Sequence, residues 1–193
     1  MIKISSIFDL QDARYCAAVG VNFVGFSIKT TDENKLLPQK IREITAWLSG
    51  TKTILEYDTE SAAVLEEMHS TLPYYAVELS EDDWTKVSFL PDLPVFLILH
   101  SRVSLSHAQT VIDSLLEHHL DSKIIIAVEN IQAAATFLPV SKHCFLHFTA
   151  LNEAIEARKN TDFTEFAGIY VGKEGFLLNK EGLDYENIDR LFG

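Results

Sequence analysis

The chain has 193 residues and carries 28 Asp and Glu against 16 Lys and Arg, a formal charge of −12 that disfavours phosphate backbones and anionic lipid and so excludes nucleic-acid and membrane-surface roles. With 47 % hydrophobic and 23 % charged residues it has the balance of a globular protein, and one domain over 1–193 is expected. Cys16 and Cys144 are too few and too far apart for a disulfide framework, and no apolar run has the ~18 residues of a membrane span or the form of a secretory leader, so a soluble cytoplasmic protein is expected.

Residues 2–5 read as a first, apolar strand. Asp9 then caps a helix over 9–19 whose inner face is Leu10, Ala13, Ala17 and Ala18. A strand over 23–26 and a helix over 40–48 follow, the helix turning Ile41, Ile44, Trp47 and Leu48 inward, with Trp47 packed between helix and sheet. Strands come next at 52–57, 75–79 and 95–99, a helix at 105–116, and strands at 123–128 and 144–148. A helix at 151–158, a strand at 168–171 and a helix at 185–192 complete the chain.

Eight strands starting roughly every 20–29 residues, with helical segments between them, are the signature of repeated βαβ units. Their nearly continuous apolar character fits strands covered on both faces. A compact (β/α)8 TIM barrel with short loops is therefore expected, since such barrels run from ~200 residues upward; a doubly wound sheet is the other candidate.

Isolated motifs add little. Adjacent His118 and His119 point in different directions on a helix, His143 and His147 lack further ligands, and no metal site is expected. Cys16 and Cys144 read as buried inert thiols, and Trp84 as surface cover. Without a Gly-rich nucleotide loop or a GxSxG elbow, neither a nucleotide cofactor nor serine-hydrolase chemistry has support, and no cofactor is expected.

Several segments together carry a resemblance. Lys3-Ile4-Ser5-Ser6-Ile7, Gln11-Asp12-Ala13, Gly20-Val21-Asn22-Phe23-Val24-Gly25-Phe26 and Pro38 resemble the opening of the phosphoribosylanthranilate isomerases, whose pattern is KICGI, EDA, GAD-x-x-GF and SP. Ala76-Val77-Glu78-Leu79-Ser80 stands where that family has AVQLH, and Leu146-His147-Phe148-Thr149-Ala150-Leu151-Asn152 where it has VLSGGLN. Gly168-Ile169-Tyr170-Val171-Gly172 and the segment from Gly182 to Ile188 match its GVDVSS and its closing PG-x-KD-x-x-KI. The likeness touches units 1, 2, 4, 7 and 8 in order.

It implies a (β/α)8 barrel of tryptophan biosynthesis that converts an N-ribosylated anthranilate into its ketose isomer by an Amadori rearrangement. That chemistry needs a general acid to open the furanose and a general base to take the sugar C2 proton. The family uses a strand-six aspartic acid and the KICG cysteine for these jobs. An arginine after strand two, a histidine after strand four and a Gly-rich phosphate cradle after strands seven and eight complete its site.

Position by position this chain departs from that set. The cysteine becomes Ser5, whose hydroxyl is no base without a partner to deprotonate it. The strand-six aspartate becomes Ala127, with Glu129 the nearest carboxylate on the same strand face. Asn34, beside Lys35, replaces the arginine, and Glu78-Leu79-Ser80 replaces QLH. Thr149-Ala150 replaces a glycine pair whose backbone N–H groups would approach phosphate, whereas Gly172-Lys173 could keep part of an anion site.

Ser5 and Glu129 are therefore the catalytic candidates, and Asn34, Glu78, Ser80, Gly172 and Lys173 the substrate-binding ones. Tyr57, Asp58, His100 and Thr149 stand beside them at the strand ends, and Glu78, His100, Glu129 and Lys173 could act together as an acid/base cluster. Glu56, Asp58, Glu78, Glu81, Asp82 and Asp83 crowd one sector, which suits a cation, an amine or a basic partner better than a phosphate. The leading expectation is a divergent relative that has lost the Amadori activity and has a different or non-catalytic role. The alternative is a working isomerase with substituted acid and base. A phosphorylated or cationic metabolite or a protein partner, and a monomer or homodimer, are compatible with both. A mouth plugged by Phe148, Tyr170 or Phe176 would favour the first.

Overall fold

The computed structural model describes residues 1–100, 102–172, 178–179 and 182–192. Eight parallel strands pair in chain order: β1 (Ile2–Ile4), β2 (Phe23–Ser27), β3 (Lys52–Glu56), β4 (Ala76–Ser80), β5 (Val95–Ile98), β6 (Lys123–Val128), β7 (Cys144–Phe148) and β8 (Gly168–Val171). They close into a barrel where Lys3 of β1 registers with Tyr170 of β8. Each strand lies within one or two residues of its sequence-based bounds, and the architecture is the expected (β/α)8 barrel.

Helices α1 (Leu10–Ala18), α2 (Pro38–Thr45), α3 (Ala62–His69), α4 (Glu81–Trp84), α5 (Leu105–His118), α6 (Ile131–Ala135), α7 (Leu151–Lys159) and α8 (Tyr185–Phe192) follow the strands. Units four and six are cut to helices of 4 and 5 residues, which is how eight units fit this length. A small hairpin, Leu178–Asn179 with Gly182–Leu183, stands between β8 and α8. It, α3, α4 and α6 lie outside the helices and strands expected from sequence. No helix among the described residues is long and apolar enough to cross a membrane.

Strand alternation sorts the side chains. Ile2, Ile4, Val24, Leu55, Val77 and Leu97 point outward under the helices, while Phe23, Ile54, Ala76, Phe96, Ile125 and Phe145 fill the barrel. Three of these rings pack on one another, with centroids 5.4 Å apart for Phe23–Phe96 and Phe96–Phe145 and 6.0 Å for Phe23–Phe145. Each such buried side chain contributes roughly 1.5–3 kcal/mol. The lower barrel is thus a dry plug, and whatever is polar inside belongs to the upper part.

Two helix faces differ from expectation. The buried residues of α1 are Asp12, Ala13 and Cys16, while Ala18 is exposed and Leu10 and Ala17 are half-buried. Asp12 is drawn inward because its carboxylate accepts from the Tyr185 hydroxyl at 2.6 Å and the Leu183 N–H at 3.3 Å, tying α1 to the end of the chain. Trp47 does not pack: it is 70 % exposed. Beyond Thr45 the chain tightens into i→i−3 bonds, Trp47 N–H to Ile44 and Leu48 N–H to Thr45, and three residues per turn rotate the indole off the inner face.

Cys16 and Cys144 are fully buried, as expected. Burial pushes the Cys16 thiol up to about 12 and the Cys144 thiol higher still.

Candidate functional site

In barrels of this kind the strand C-termini build the site, and here the upper interior holds a buried ion network. Lys3, flanked by outward-facing Ile2 and Ile4, turns inward. Its Nζ stands 2.6 Å from Glu78 Oε2, 3.1 Å from Glu56 Oε1 and 2.5 Å from Ser5 Oγ. It also lies 4.7 Å from the centroid of the Tyr170 ring, a cation–π contact. Lys3, Glu56 and Glu78 are all 0–1 % exposed. Ser5 Oγ donates to the Tyr170 hydroxyl at 2.9 Å, which in turn donates to Glu78 Oε1 at 3.4 Å. Lys29, 26 % exposed, approaches Glu78 Oε1 at 3.9 Å from the outer side.

Local backbone makes room for this cluster. Ser6 adopts φ 55, left-handed, at the position where the family pattern has glycine. That turn aims its N–H at Glu56 Oε1 and Oε2 (3.2 and 3.3 Å), and its hydroxyl donates to Oε2 at 3.3 Å. Gly25 of β2 is needed beside them, because a Cβ there would stand 1.7 Å from Glu56 Oε1 and 3.0 Å from Lys3 Nζ.

The electrostatics follow from these contacts. Burial pushes the Glu56 carboxyl up, but the charges of Lys3 and Lys29 and its hydrogen bonds outweigh this and hold it below the ordinary carboxylate range. Glu78 goes the other way: burial, reinforced by the Glu56 charge, exceeds what Lys3 and Lys29 return, and its carboxyl is raised. Burial, followed by the nearby Glu78 and Glu56 charges, lifts the Tyr170 phenol well above its usual value.

The anticipated site residues fall into separate places. Ser5, 2 % exposed, is locked under Tyr170. Glu129 is exposed beyond β6, lining a cavity of about 340 Å³ with Arg102, Ala127 and Thr149, and Ser5 is not part of that lining. Ala127 opens onto the same cavity with only a methyl group. Asn34 is exposed in the loop after β2, its N–H bonded to Asp32 Oδ1 at 2.9 Å. Glu78 belongs to the ion network. Ser80 caps α4, accepting from the Asp83 N–H at 3.1 Å and donating to Asp83 Oδ2 at 2.6 Å. Gly172 is buried against Tyr170, whose ring carbon would stand 3.0 Å from a Cβ there. Lys173 and Phe176 lie outside the described residues.

The acidic sector supplies its own partners, against the expectation of a mouth open to a cation. Glu56 and Glu78 hold Lys3 and Lys29. Asp58 accepts from Ser61 and Thr30 N–H at 2.9 and 2.8 Å, and Asp83 from Thr59 N–H at 3.1 Å. Glu81 meets His107 at 2.5 Å and Asp82 meets His100 at 3.3 Å. Glu78, His100 and Glu129 therefore do not converge as one acid/base cluster. Tyr57 is buried in the outer core with its hydroxyl on the Phe89 carbonyl at 3.3 Å. Phe148 packs in that outer core too, so of the proposed plugs Tyr170 alone of the described pair enters the barrel.

Sequence reasoning missed Lys3 and Lys29 as the centre of this arrangement. The signal was a lysine alternating with two isoleucines in the first strand, which puts its charge on the face opposite them.

No protein-family profile and no curated protein matches the chain. Among solved structures it is similar to a phosphoribosylanthranilate isomerase in complex with reduced 1-(o-carboxyphenylamino)-1-deoxyribulose 5-phosphate, with TM-score 0.74, 15 % identity, and 99 % of this chain and 95 % of that one covered. The Pyrococcus furiosus isomerase gives TM-score 0.72 at 10 % identity, covering 100 % and 96 %. Monomers generated from the dimeric Thermotoga maritima isomerase give 0.69 at 16 %, covering 98 % and 95 %. A truncated Thermotoga maritima 3-deoxy-D-arabino-heptulosonate 7-phosphate synthase also aligns, at TM-score 0.61 and 12 % identity, covering 100 % and 83 %. The fold is that of a phosphoribosylanthranilate isomerase-like barrel, in keeping with the resemblance in the sequence.

Proposed function

We propose that this chain is a single-domain, phosphoribosylanthranilate isomerase-like barrel that no longer performs the Amadori rearrangement and serves a different, non-catalytic role. The observation that carries this reading is the confinement of Ser5. Its hydroxyl stands at the place of the family base, yet it lies against the Lys3 ammonium, which has no lone pair to take a proton, the Tyr170 phenol, which burial keeps protonated, and the Glu56 carboxylate, whose pKa is held below the usual range and which is therefore a weak proton acceptor. Ser5 therefore has no strong base beside it to deprotonate it, and it is enclosed in the barrel interior at 2 % exposure.

The acid is missing as well. Ala127 has no proton to give, and Glu129 lies on the separate cavity. Loss of a positioned acid or base costs ~10²–10⁴ in rate, and here both are gone. The phosphate cradle is altered in the same direction, with Thr149-Ala150 for glycines and the Tyr170 ring against Gly172. In this reading the protein works in a reducing cytoplasm as a monomer or homodimer, and its partner is a small metabolite or another protein.

The exposed Glu129 at the rim favours the second reading, an isomerase with a substituted acid. One assay separates the two: steady-state turnover of N-(5'-phosphoribosyl)anthranilate, with rescue of a tryptophan auxotroph lacking the isomerase. The first reading expects neither. Turnover near that of ordinary isomerases overturns it.

A further inference from the structure

We propose that the cavity at the ends of β6 and β7 binds a small zwitterion with an apolar side group, of the class of a free aliphatic or aromatic α-amino acid. This goes beyond the loss of isomerase activity and rests on different residues from the ion network.

The cavity holds about 340 Å³, near the lower end of small-molecule pockets. Val103, Val128, Ala133 and Phe137 give it an apolar wall, with Val128 and Phe137 buried. Arg102 and Glu129 bring opposite charges to the same lining. Among the described residues neither side chain has a hydrogen bond, an ion pair or a ring contact. That sets them apart from the other carboxylates of the mouth, which are all engaged.

Charge complementarity decides the class of ligand. A bare anion that meets Arg102 also meets the repulsion of Glu129, and a bare cation meets the converse. A molecule with a carboxylate for Arg102 and an ammonium for Glu129 satisfies both, and the apolar wall of the same cavity takes its side group. Thr136 and Thr149 add hydroxyls to the lining. Arg102 is also held at φ 66, a conformation uncommon for residues other than glycine, and such backbone outliers cluster where a side chain is aimed at a ligand.

Calorimetric titration of the full chain tests this with leucine and phenylalanine, beside leucinamide, which lacks the carboxylate, and N-acetyl-leucine, which lacks the ammonium. Saturable binding of at least one free amino acid is expected, with both blocked forms weaker. Arg102→Gln and Glu129→Gln should each weaken the free amino acid about tenfold, the value of one charge-assisted hydrogen bond. Arg102→Gln should tighten or leave unchanged the binding of leucinamide, whose ammonium it no longer repels, and Glu129→Gln should do the same for the anionic N-acetyl-leucine. Ala133→Phe, which fills the cavity, should abolish binding, with an unfolding midpoint near that of the parent showing that the barrel remains intact. No saturable binding of either amino acid, equal affinity for the blocked forms, or full affinity in both charge variants overturns the proposal. Both charged side chains are exposed and unpaired, so these variants keep the fold. Turnover of the ribosylated anthranilate would sink the silent-barrel reading without altering the titration, and a blank titration would leave that reading standing.

Discussion

Lys3 Nζ and Glu78 Oε2 stand 2.6 Å apart inside the barrel, and neither side chain reaches solvent. A buried pair of this kind contributes little over a hydrophobic replacement, but breaking it from one side is costly because the remaining charge has no water. Lys3→Met leaves Glu56 and Glu78 facing each other, and should cost about 3–5 kcal/mol in urea unfolding. Adding Glu78→Leu should recover part of that loss, a coupling of roughly 1–3 kcal/mol. A Lys3→Met protein as stable as its parent contradicts the arrangement.

Gly25 gives a steric check on the same cluster. A methyl group would collide with the Glu56 carboxylate, so Gly25→Ala must displace either that group or β2. We expect a loss of about 2 kcal/mol or more, by the same urea measurement. A neutral Gly25→Ala would mean that Glu56 has room elsewhere.

Ser6 separates backbone from side chain. Ser6→Gly relieves a left-handed serine by roughly 1 kcal/mol and gives up one hydroxyl bond to Glu56 of similar size, so the net change should be small. Ser6→Val keeps the backbone cost, loses the hydroxyl and adds β-branching, and should lose about 2 kcal/mol or more. Equal stability of the Gly and Val variants would contradict the left-handed turn.

Acid sensitivity should trace to the capping carboxylates. At Asp58 burial pushes the pKa up, but hydrogen bonds from Ser61, Thr30 and Thr31 prevail and hold it below the usual range. A carboxyl lowered in the folded state stabilises fully above its unfolded value near ~3.9, and that contribution is lost as the pH falls through the lower folded value. Asp58→Asn should therefore cost about 1–2 kcal/mol near neutral pH, with the gap to the parent closing as the pH falls below the ordinary carboxylate range. A gap that is constant across the acid range refutes the assignment.

Restoring the family's two acid/base residue types tests the plug separately from the chemistry. Ser5→Cys with Ala127→Asp should still give no turnover of the ribosylated anthranilate, because residue 5 stays enclosed by Lys3 and Tyr170. If this double variant turns over substrate while the parent does not, the plug is not the obstacle and only the two functional groups were missing.

The barrel itself was legible in the sequence because short apolar strands at even spacing are a local signal. The faces of α1 and α2 were less so. Asp12 is inside because of Tyr185 and Leu183, far away in sequence, and Trp47 is outside because a helix tightens one turn before reaching it. The site was legible as departures from a pattern, at Ser5, Ala127 and Glu78. What replaced that pattern was not, since the pairing of Lys3 with Glu56 and Glu78 depends on strand register and on the closure of the barrel. Reading the six mouth carboxylates as one field missed that each is engaged by a partner of the chain's own, Lys3 for both Glu56 and Glu78 and separate groups for the other four.

The buried charges also bear on the order in which the molecule is assembled. Lys3, Lys29, Glu56 and Glu78 all come from the segment that spans the first four strands, two positive and two negative. That half of the barrel thus carries a balanced set and can neutralise its own interior charge before the rest of the chain arrives. Among the described residues of the far half, Tyr170 reaches the cluster, on the strand that closes the ring. Its arrival seals off charges that have already found one another, so an N-terminal half-barrel is the natural early unit of folding. In refolding followed by hydrogen exchange, amides of β2–β4 should gain protection before those that join β1 to β8.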